Sequence, residues 1–472
     1  MPESTPDSTL PPPRERPMRY AHQLGYNRRV FLQRAGAAAL VPLFPAIVPA
    51  SAIGADGTTA PSNRIAMGLI GVGMVGQGHL QGFLHAPEAQ VVAVCDVDQW
   101  RRENAKKTTE QTYATQSGGG SYQGCVAYKD FRELLARDDI DAVFIATGDR
   151  WHAVASVMAA RAGKDIYVEK PVSLTIAEAR AMVDAVRRHG RVCQSGLQQR
   201  SSREFRLACK LVRDGALGKI QAVYVNGPGT SSDVNLPAEP VPDTLDWDMW
   251  LGPAPWRPFN HRFVYIGQPL NVVPWDFCRD FGGGSLTSGV VHAFDVVQWG
   301  LGMDESGPIE VSPPEAGAYP DLTFKYPNDI LVQVVPGCLN GKKQAIPKGW
   351  NESTPIQGFG ALFVGERGWI HVGREGFLQS FPDDLVKKYP PDYEQAIAGE
   401  SHHRNWFEAI RARSRPDCDI SVGCQSTIVA HLGCLAYWTG RTLKWDPAAE
   451  QFIGDDEANR MRSRAMREPW RI

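Results

Sequence analysis

The chain has 472 residues, more than a single hydrophobic core usually organises, so two domains with appendages are expected. Hydrophobic residues make up 43% and charged residues 22%, the balance of an ordinary globular protein. A formal net charge of −2 leaves no basic footprint and argues against a nucleic-acid partner.

Residues 1–52 stand apart in composition. A Pro-rich polar start leads to Asn27-Arg28-Arg29-Val30-Phe31-Leu32, then to an apolar stretch from Ala35 to Ala50 broken by Pro42, Pro45 and Pro49, and then to Ala50-Ser51-Ala52. This is the layout of a charged n-region, an apolar h-region and a small-residue cleavage site. The stretch is too short and too Pro-broken for a stable membrane anchor. An Arg pair followed by Phe-Leu resembles the twin-arginine export signal, so the translocation machinery of that pathway is an expected partner and the periplasm, or another exported location, the expected destination. Cleavage after Ala52 removes six Arg and three acidic residues and leaves a net charge of −5. Residues 53–63, containing ADGTTAPSN, read as a linker.

From residue 64 to 198 strand and helix patterns alternate. Ile65 to Ile70 and Val91 to Val94 are apolar runs flanking a helix that includes Gly78 to Leu84; FRELLARDD is an amphipathic helix, DAVFIAT a buried strand, HAVASVMAARAG a helix, DIYVEKP a strand, Ile176 to His189 a helix and Arg191 to Ser195 a strand. Apolar strands without alternation, separated by helices, predict a doubly wound parallel sheet covered on both faces. The fold class is α/β.

A second domain is predicted over 199–440, where period-two runs at Ile220 to Val225, Ile330 to Val335 and Ala361 to Val364 suggest an open, mainly antiparallel sheet in an α+β arrangement. Asn226 to Trp247 and Cys338 to Gln357 are irregular and read as lids or interface arms. Helices around Asn405 to Ala412 and Gln425 to Gly440 precede a polar tail, 441–472. Nine cysteines without a CxxC or a Cys/His cluster make neither a disulfide framework nor a zinc site. His402 and His403 are adjacent and so point differently, and no metal site is expected.

Gly71-x-Gly73-x-x-Gly76 follows the first strand and opens a helix through Met74 and Val75. In that setting the glycines permit a tight turn, close backbone approach to a pyrophosphate and helix-on-strand packing, with the helix N-terminus facing the anion. Asp96 ends the next strand, 20 residues beyond Gly76, where its carboxylate can accept from both ribose hydroxyls and repel a 2′-phosphate. NAD is therefore expected, in preference to NADP.

With these elements the chain resembles the glucose-fructose oxidoreductase and inositol dehydrogenase family, Gfo/Idh/MocA. The resemblance rests on GLIGVGMVGQGHL, ATGDRWHA, YVEKPVSLT, DWDMWLGPAPWRPFN, GGGSLTSGVVHAFDVVQWGLG and the segments HHRNWFEAIRAR and GDDEANRMRSRAMREPW, covering most of residues 64–470. It implies a Rossmann domain followed by a domain whose open sheet walls the site and often forms an oligomer interface, hence a homo-oligomer. It implies that Lys170 of Glu169-Lys170-Pro171 lies beside the nicotinamide and the reacting hydroxyl, where its ammonium can stabilise a developing alkoxide; Lys170-Pro171 is also a candidate cis peptide. It places His292 as an acid/base toward the substrate hydroxyl. The family's Asp four residues before that His is here Ser288, a departure, and Asp295 is a candidate to orient the imidazole instead. Thr147, Asp149 and His152 are expected near the ribose and nicotinamide, with Gly148 where the family usually has Pro. Gln198 and Arg200 are possible nicotinamide or substrate contacts. Trp247, Trp250 and Trp256 favour packing over stacking on a sugar ring.

These readings predict an exported NAD-dependent oxidoreductase acting on a hydroxyl of a sugar, cyclitol or related polyol, with a tightly held cofactor. Two alternatives stay open: an NAD-dependent glycosidase or lyase that oxidises its substrate transiently, and a cofactor-binding protein without catalysis, hinted at by Ser288.

Overall fold

Six strands between Ile65 and Ser195 pair side by side in parallel, and the apolar runs among them, such as Ile65–Ile70 and Ala142–Ile145, are covered on both faces. In this computed structural model, which describes residues 63–227, 229–264, 275–391 and 393–472, they form one sheet in the order β3-β2-β1-β4-β5-β6. The elements are β1 (Ile65–Ile70), α1 (Met74–Leu84), β2 (Ala89–Cys95), α2 (Gln99–Gln116), β3 (Val126–Tyr128), α3 (Phe131–Leu135), β4 (Ala142–Ile145), α4 (Asp149–Arg161), β5 (Asp165–Val168), α5 (Ile176–Arg188) and β6 (Cys193–Ser195). The order reverses between β1 and β4, so a crevice opens above their carboxyl ends, where doubly wound sheets bind ligands. The export-signal reading, and all of the linker but Asn63, lie outside the described residues.

The second sheet follows α6 (Arg203–Arg213), whose apolar side is buried. It comprises β7 (Ile220–Asn226), then, after α7 (Trp247–Leu251) and α8 (Val291–Leu301), β8 (Glu310–Ser312), β9 (Leu322–Lys325), β10 (Leu331–Val335), β11 (Ala361–Gly365), β12 (Gly368–Val372) and β13 (Leu378–Phe381). Together with β14 (Leu443–Asp446) and β15 (Gln451–Phe452) these run in the order β13-β12-β11-β7-β10-β9-β8-β14-β15. Only β7 and β10 pair in parallel. Alternate residues serve opposite faces: Val223, Val225, Phe363 and Ile370 join the helix-side core, whereas Tyr224, Leu362 and Trp369 pack with Leu339, Trp350 and Ile356. The irregular segment Cys338 to Gln357 thus covers the far face of this sheet.

The C-terminal segments pack across both domains. After α9 (Tyr393–Ile397), the helices α10 (His402–Ala412) and α11 (Ile420–Thr439) return to the first domain. Trp406 and Phe407 of α10 pack with Phe83, Phe144 and Tyr167 on one face of the parallel sheet, and α11 packs on α5, β6 and α8. The parallel sheet's own crossovers leave apolar surface uncovered, and each large side chain placed there gains roughly 1.5–3 kcal/mol. Helix α11 is apolar on nearly every side because it lies between the two domains.

Residues 441–472 are not a free tail. β14 (Leu443–Asp446) pairs with β8, β15 (Gln451–Phe452) follows, and after α12 (Asp456–Arg460) the chain crosses back over the first domain. There Arg464 bridges Glu178 at 2.6 Å and Trp470 packs edge-on against Trp151, with ring centroids 4.6 Å apart. The polar composition that suggested a tail belongs to these ion pairs.

Candidate active site

The carboxyl ends of β1, β2, β4 and β5 open onto a cavity of about 650 Å³ lined by Gly71, Gly73, Met74, Val75, Asp96, Thr147, Asp149, His152, Glu169, Lys170 and Ser288, among others. Gly71 has φ +86, and a Cβ there would stand 2.5 Å from the Ala146 carbonyl. A Cβ at Gly76 would stand 2.2 Å from the Gly71 carbonyl, so that glycine lets α1 close on β1 and itself sits behind the cavity wall. At Gly73 an added Cβ would meet only Arg101 Nη1, at 3.4 Å, which leaves the loop open toward the cavity. Met74 and Val75, 70% and 44% exposed, present an apolar lip at the start of α1.

The Asp96 carboxylate is held by the Val72 and Asp98 amides, each at 2.9 Å, so its free lone pairs face the cavity. Burial pushes its pKa up, against the pull of the Arg101 charge. The open loop, the apolar lip and this fixed acceptor fit a dinucleotide: Gly71 and Gly73 would hold the pyrophosphate and Asp96 the ribose diol.

At the end of β5, Lys170-Pro171 is cis, and Lys170 Nζ donates to the Ser288 carbonyl at 2.7 Å, a contact between the two domains. Ser288 lies in a π-helical turn, Leu286–Val290, that runs directly into α8. A π-turn disturbs the regular ladder and frees a carbonyl for such a contact. Glu169 does not face a substrate freely: His79 Nε2 lies 3.1 Å from its Oε1 and Gln198 Nε2 donates to the same oxygen at 3.2 Å. Burial pushes the Glu169 pKa up, but the His79 hydrogen bond and charge together with Lys170 turn the net shift down. Gln198, which also donates to the Tyr167 hydroxyl, stands behind the wall rather than in it.

His152 lies between two carbonyls, with Nδ1 2.6 Å from that of Pro171 and Nε2 3.1 Å from that of Thr147; burial lowers its pKa, and the neutral ring donates to one of the two, positioning the β4 and β5 ends. His292 is buried on α8, and burial, then the Lys170 and Arg374 charges, push its pKa well down. With the Gln199 amide turned so that its nitrogen and oxygen both meet complementary neighbours, it donates to His292 Nδ1 at 2.7 Å while its oxygen accepts from Arg374 Nε and Nη2 at 2.9 Å each. Nδ1 is thereby the acceptor and Nε2 carries the proton.

Arg200 and Asp295 differ from the sequence-based reading. Arg200 chelates Asp295 with bonds of 2.8 to 3.1 Å and reaches Asp304 at 2.6 and 2.9 Å. Every nitrogen of its guanidinium is engaged, and neither residue lines the cavity. Asp295 also accepts from Ser426 at 2.9 Å, so its oxygens serve Arg200 and α11 and not the His292 ring. Trp247 and Trp250 stack on each other at 4.6 Å, with the Arg150 guanidinium 3.7 Å over Trp250; they are core, while Trp256 is 68% exposed.

Sequence reasoning missed four residues: His79, Gln199, Arg374 and Asp276. His79 lay inside a quoted motif, three positions past Gly76 and one turn along α1. Asp276 carried no motif; it comes from the loop before the π-turn and enters the cavity beside Asp149, Lys170 and Ser288.

The sequence matches the profile described as "Oxidoreductase family, NAD-binding Rossmann fold" over residues 65–197 and that described as "Oxidoreductase family, C-terminal alpha/beta domain" over 210–472. The chain belongs to the Gfo/Idh/MocA oxidoreductase family. The N-terminal domain of this family member is its NAD-binding Rossmann domain. Among Gfo/Idh/MocA relatives, a glycosyl hydrolase family 109 protein of Shewanella pealeana is 32% identical over 216 residues, 42% of this chain and 46% of that protein. The chain thus spans about half the length of the curated relatives it matches. Two solved structures share the fold: aldose-aldose oxidoreductase from Caulobacter crescentus complexed with glycerol (TM-score 0.53, 18% identity, 81% of this chain and 99% of that one), and scyllo-inositol dehydrogenase from Lactobacillus casei with NAD(H) and scyllo-inositol (TM-score 0.52, 16% identity, 81% and 99%).

Proposed function

We propose that this family member is an exported oxidoreductase that retains NAD and exchanges hydride with a hydroxyl-bearing carbon of a sugar, cyclitol or polyol. The observation that carries the reading is Lys170: it stands at the end of β5, in the wall of the crevice that Gly73 and Asp96 also line, and is tethered to Ser288 of the second domain. Bound there, the nicotinamide supplies the hydride acceptor and donor. Lys170 donates to the substrate oxygen as it gains carbonyl character, and the Gln199-held His292 supports the domain wall behind it. Gly71, Gly73 and Asp96 fix the cofactor, and Met74 and Val75 exclude water from its face.

Retention of the cofactor follows from the Arg28-Arg29 signal, since an exported enzyme meets little free NAD and must recycle what it carries. The same signal makes the twin-arginine machinery a partner and the periplasm, or its equivalent, the site of action; a homo-oligomer accords with the family. The test is to purify the mature protein from its native compartment, denature it and identify the released nucleotide. Near-stoichiometric NAD(H), reduced or oxidised by a sugar in the wild type but not in Lys170→Met, is the expected result. An empty site with weak affinity for added NAD overturns the retained-cofactor reading.

A second reading is favoured by the likeness to glycosyl hydrolase family 109. Transient oxidation acidifies a neighbouring C–H, elimination breaks a glycosidic bond, and the cofactor returns to its starting state. Product analysis separates the two: cleaved glycoside without net NADH supports this second reading.

A further inference from the structure

Within the cavity wall, most ionisable groups are already committed. Glu169 is paired with His79, His152 lies between two carbonyls, and Asp96 is held by two amides on the ribose side. His292 is behind the wall and neutral. Two carboxyls remain. Asp149, at the start of α4, is 2% exposed, and its Oδ2 has no hydrogen-bond partner among the described residues. Asp276 hydrogen-bonds Ser288, but its shielded Oδ1 likewise has no partner among them. Both line the cavity beside Lys170.

We propose that Asp276 is the group that takes the substrate's hydroxyl proton as hydride leaves the adjacent carbon, with Asp149 as its protonated neighbour. The proposal rests on the oxidoreductase reading above and extends it to the proton. As the C–H pair passes to oxidised NAD, reducing it to NADH, the O–H bond breaks toward the Asp276 carboxylate and the substrate carbon becomes a carbonyl. Re-reduction returns the proton from Asp276 to the oxygen. Lys170 donates to that oxygen throughout.

The electrostatics assign the two roles. Asp149 is fully buried, and burial first, then the Asp276 charge, raise its pKa well above the usual carboxylate range despite Lys170 and Arg150 nearby. Asp276 is also raised by burial, but Lys170, the Ser288 hydroxyl and neighbouring backbone amides oppose the shift. Two adjacent carboxyls cannot both ionise cheaply, so one keeps a proton and the other becomes a stronger base than a free Asp. Asp276 thereby supplies, from a different loop, the acidic group beside Lys170 that Ser288 cannot.

The experiment uses the full mature protein with its bound cofactor and has two readouts. Infrared difference titration counts carboxyls still protonated at neutral pH: one is expected in the wild type, lost in Asp149→Asn. Single-turnover reduction of the bound cofactor by a panel of sugars and polyols is expected to slow about 100-fold or more in Asp276→Asn, to lose its rise with pH, and to recover in part in Asp276→Glu. Cofactor content, counted alongside in all three variants, separates lost chemistry from lost cofactor. If the wild type reduces its cofactor and Asp276→Asn keeps the rate within about threefold with the same pH profile, the assignment of Asp276 is overturned while the oxidoreductase reading stands. If no substrate reduces the wild-type cofactor, that reading falls. A protonated carboxyl that disappears in Asp149→Asn would then still support the pair, and its absence from the wild type would overturn it.

Discussion

Replacing Arg200 by Met should destabilise the protein without weakening cofactor retention. Arg200 is 4% exposed and its partner Asp295 is fully shielded, so the variant leaves a carboxylate in the core with only Ser426 to bond it. Burial already raises the Asp295 pKa, and the Arg200 charge is the main opposing influence. Removing one member of such a pair costs about 3–5 kcal/mol. At a few degrees per kcal/mol in a large domain, the melting temperature should fall by roughly 5 °C or more. The double variant Arg200→Met/Asp295→Leu should recover most of that loss, since an apolar pair of similar volume is close to neutral in place of a buried ion pair. Ser426 then keeps its 3.2 Å bond to the Val422 carbonyl, and Asp304, a third exposed, returns to water. Thermal unfolding by circular dichroism, with bound nucleotide counted alongside, measures both effects. A single variant that melts within a degree or so of the wild type yet loses sugar-dependent cofactor reduction would refute the structural assignment and return Arg200 to the substrate site.

Other outcomes follow from the cofactor cradle and the buried imidazoles. Gly76→Val should abolish NADH binding, measured by fluorescence, because even its Cβ would stand 2.2 Å from the Gly71 carbonyl and force α1 off β1. Asp96→Ala should weaken NAD about tenfold or more through loss of a charged acceptor and narrow its preference over NADP, with Arg101, whose Nη2 donates to the Val264 carbonyl at 3.0 Å, beside the vacated position; competition binding of the two nucleotides checks it. Burial pushes His371, His402 and His431 down to about 4 in the folded protein. Unfolded histidines bind protons first as pH falls, so this stability is full above about 6.5 and drains between 6.5 and 4. The melting temperature should decline over that window, and His371→Gln should flatten the decline.

Local chemistry was legible where a short segment both carries the residues and fixes their geometry. GxGxxG after an apolar run, Asp96 at the next strand end and Glu169-Lys170-Pro171 at another are consequences of chain order, because parallel strands put their carboxyl ends on one edge. The apolar, non-alternating runs fixed the first sheet for the same reason, and period-two runs located β7, β10 and β11 of the second. The strands β8, β9, β12 and β13, three to five residues each, were not read from the sequence.

What the sequence by itself determined, then, is the glycine-rich turn at the first strand end, the two-domain order and the place of Lys170 at the carboxyl end of β5 in the cavity wall. Tertiary structure alone decided which charged groups are free to do chemistry. Arg200 and Asp295 read as site residues by position but quench each other in the core, whereas Asp276, unmarked in sequence, reaches the cavity from a loop more than a hundred residues beyond Lys170. Likewise α10, α11 and residues 461–472 return to the first domain, because its sheet has apolar surface that distant chain covers. A side chain's type is local information; its desolvation and its partners depend on contacts between segments far apart in the chain, and those set whether it is a strut or a base.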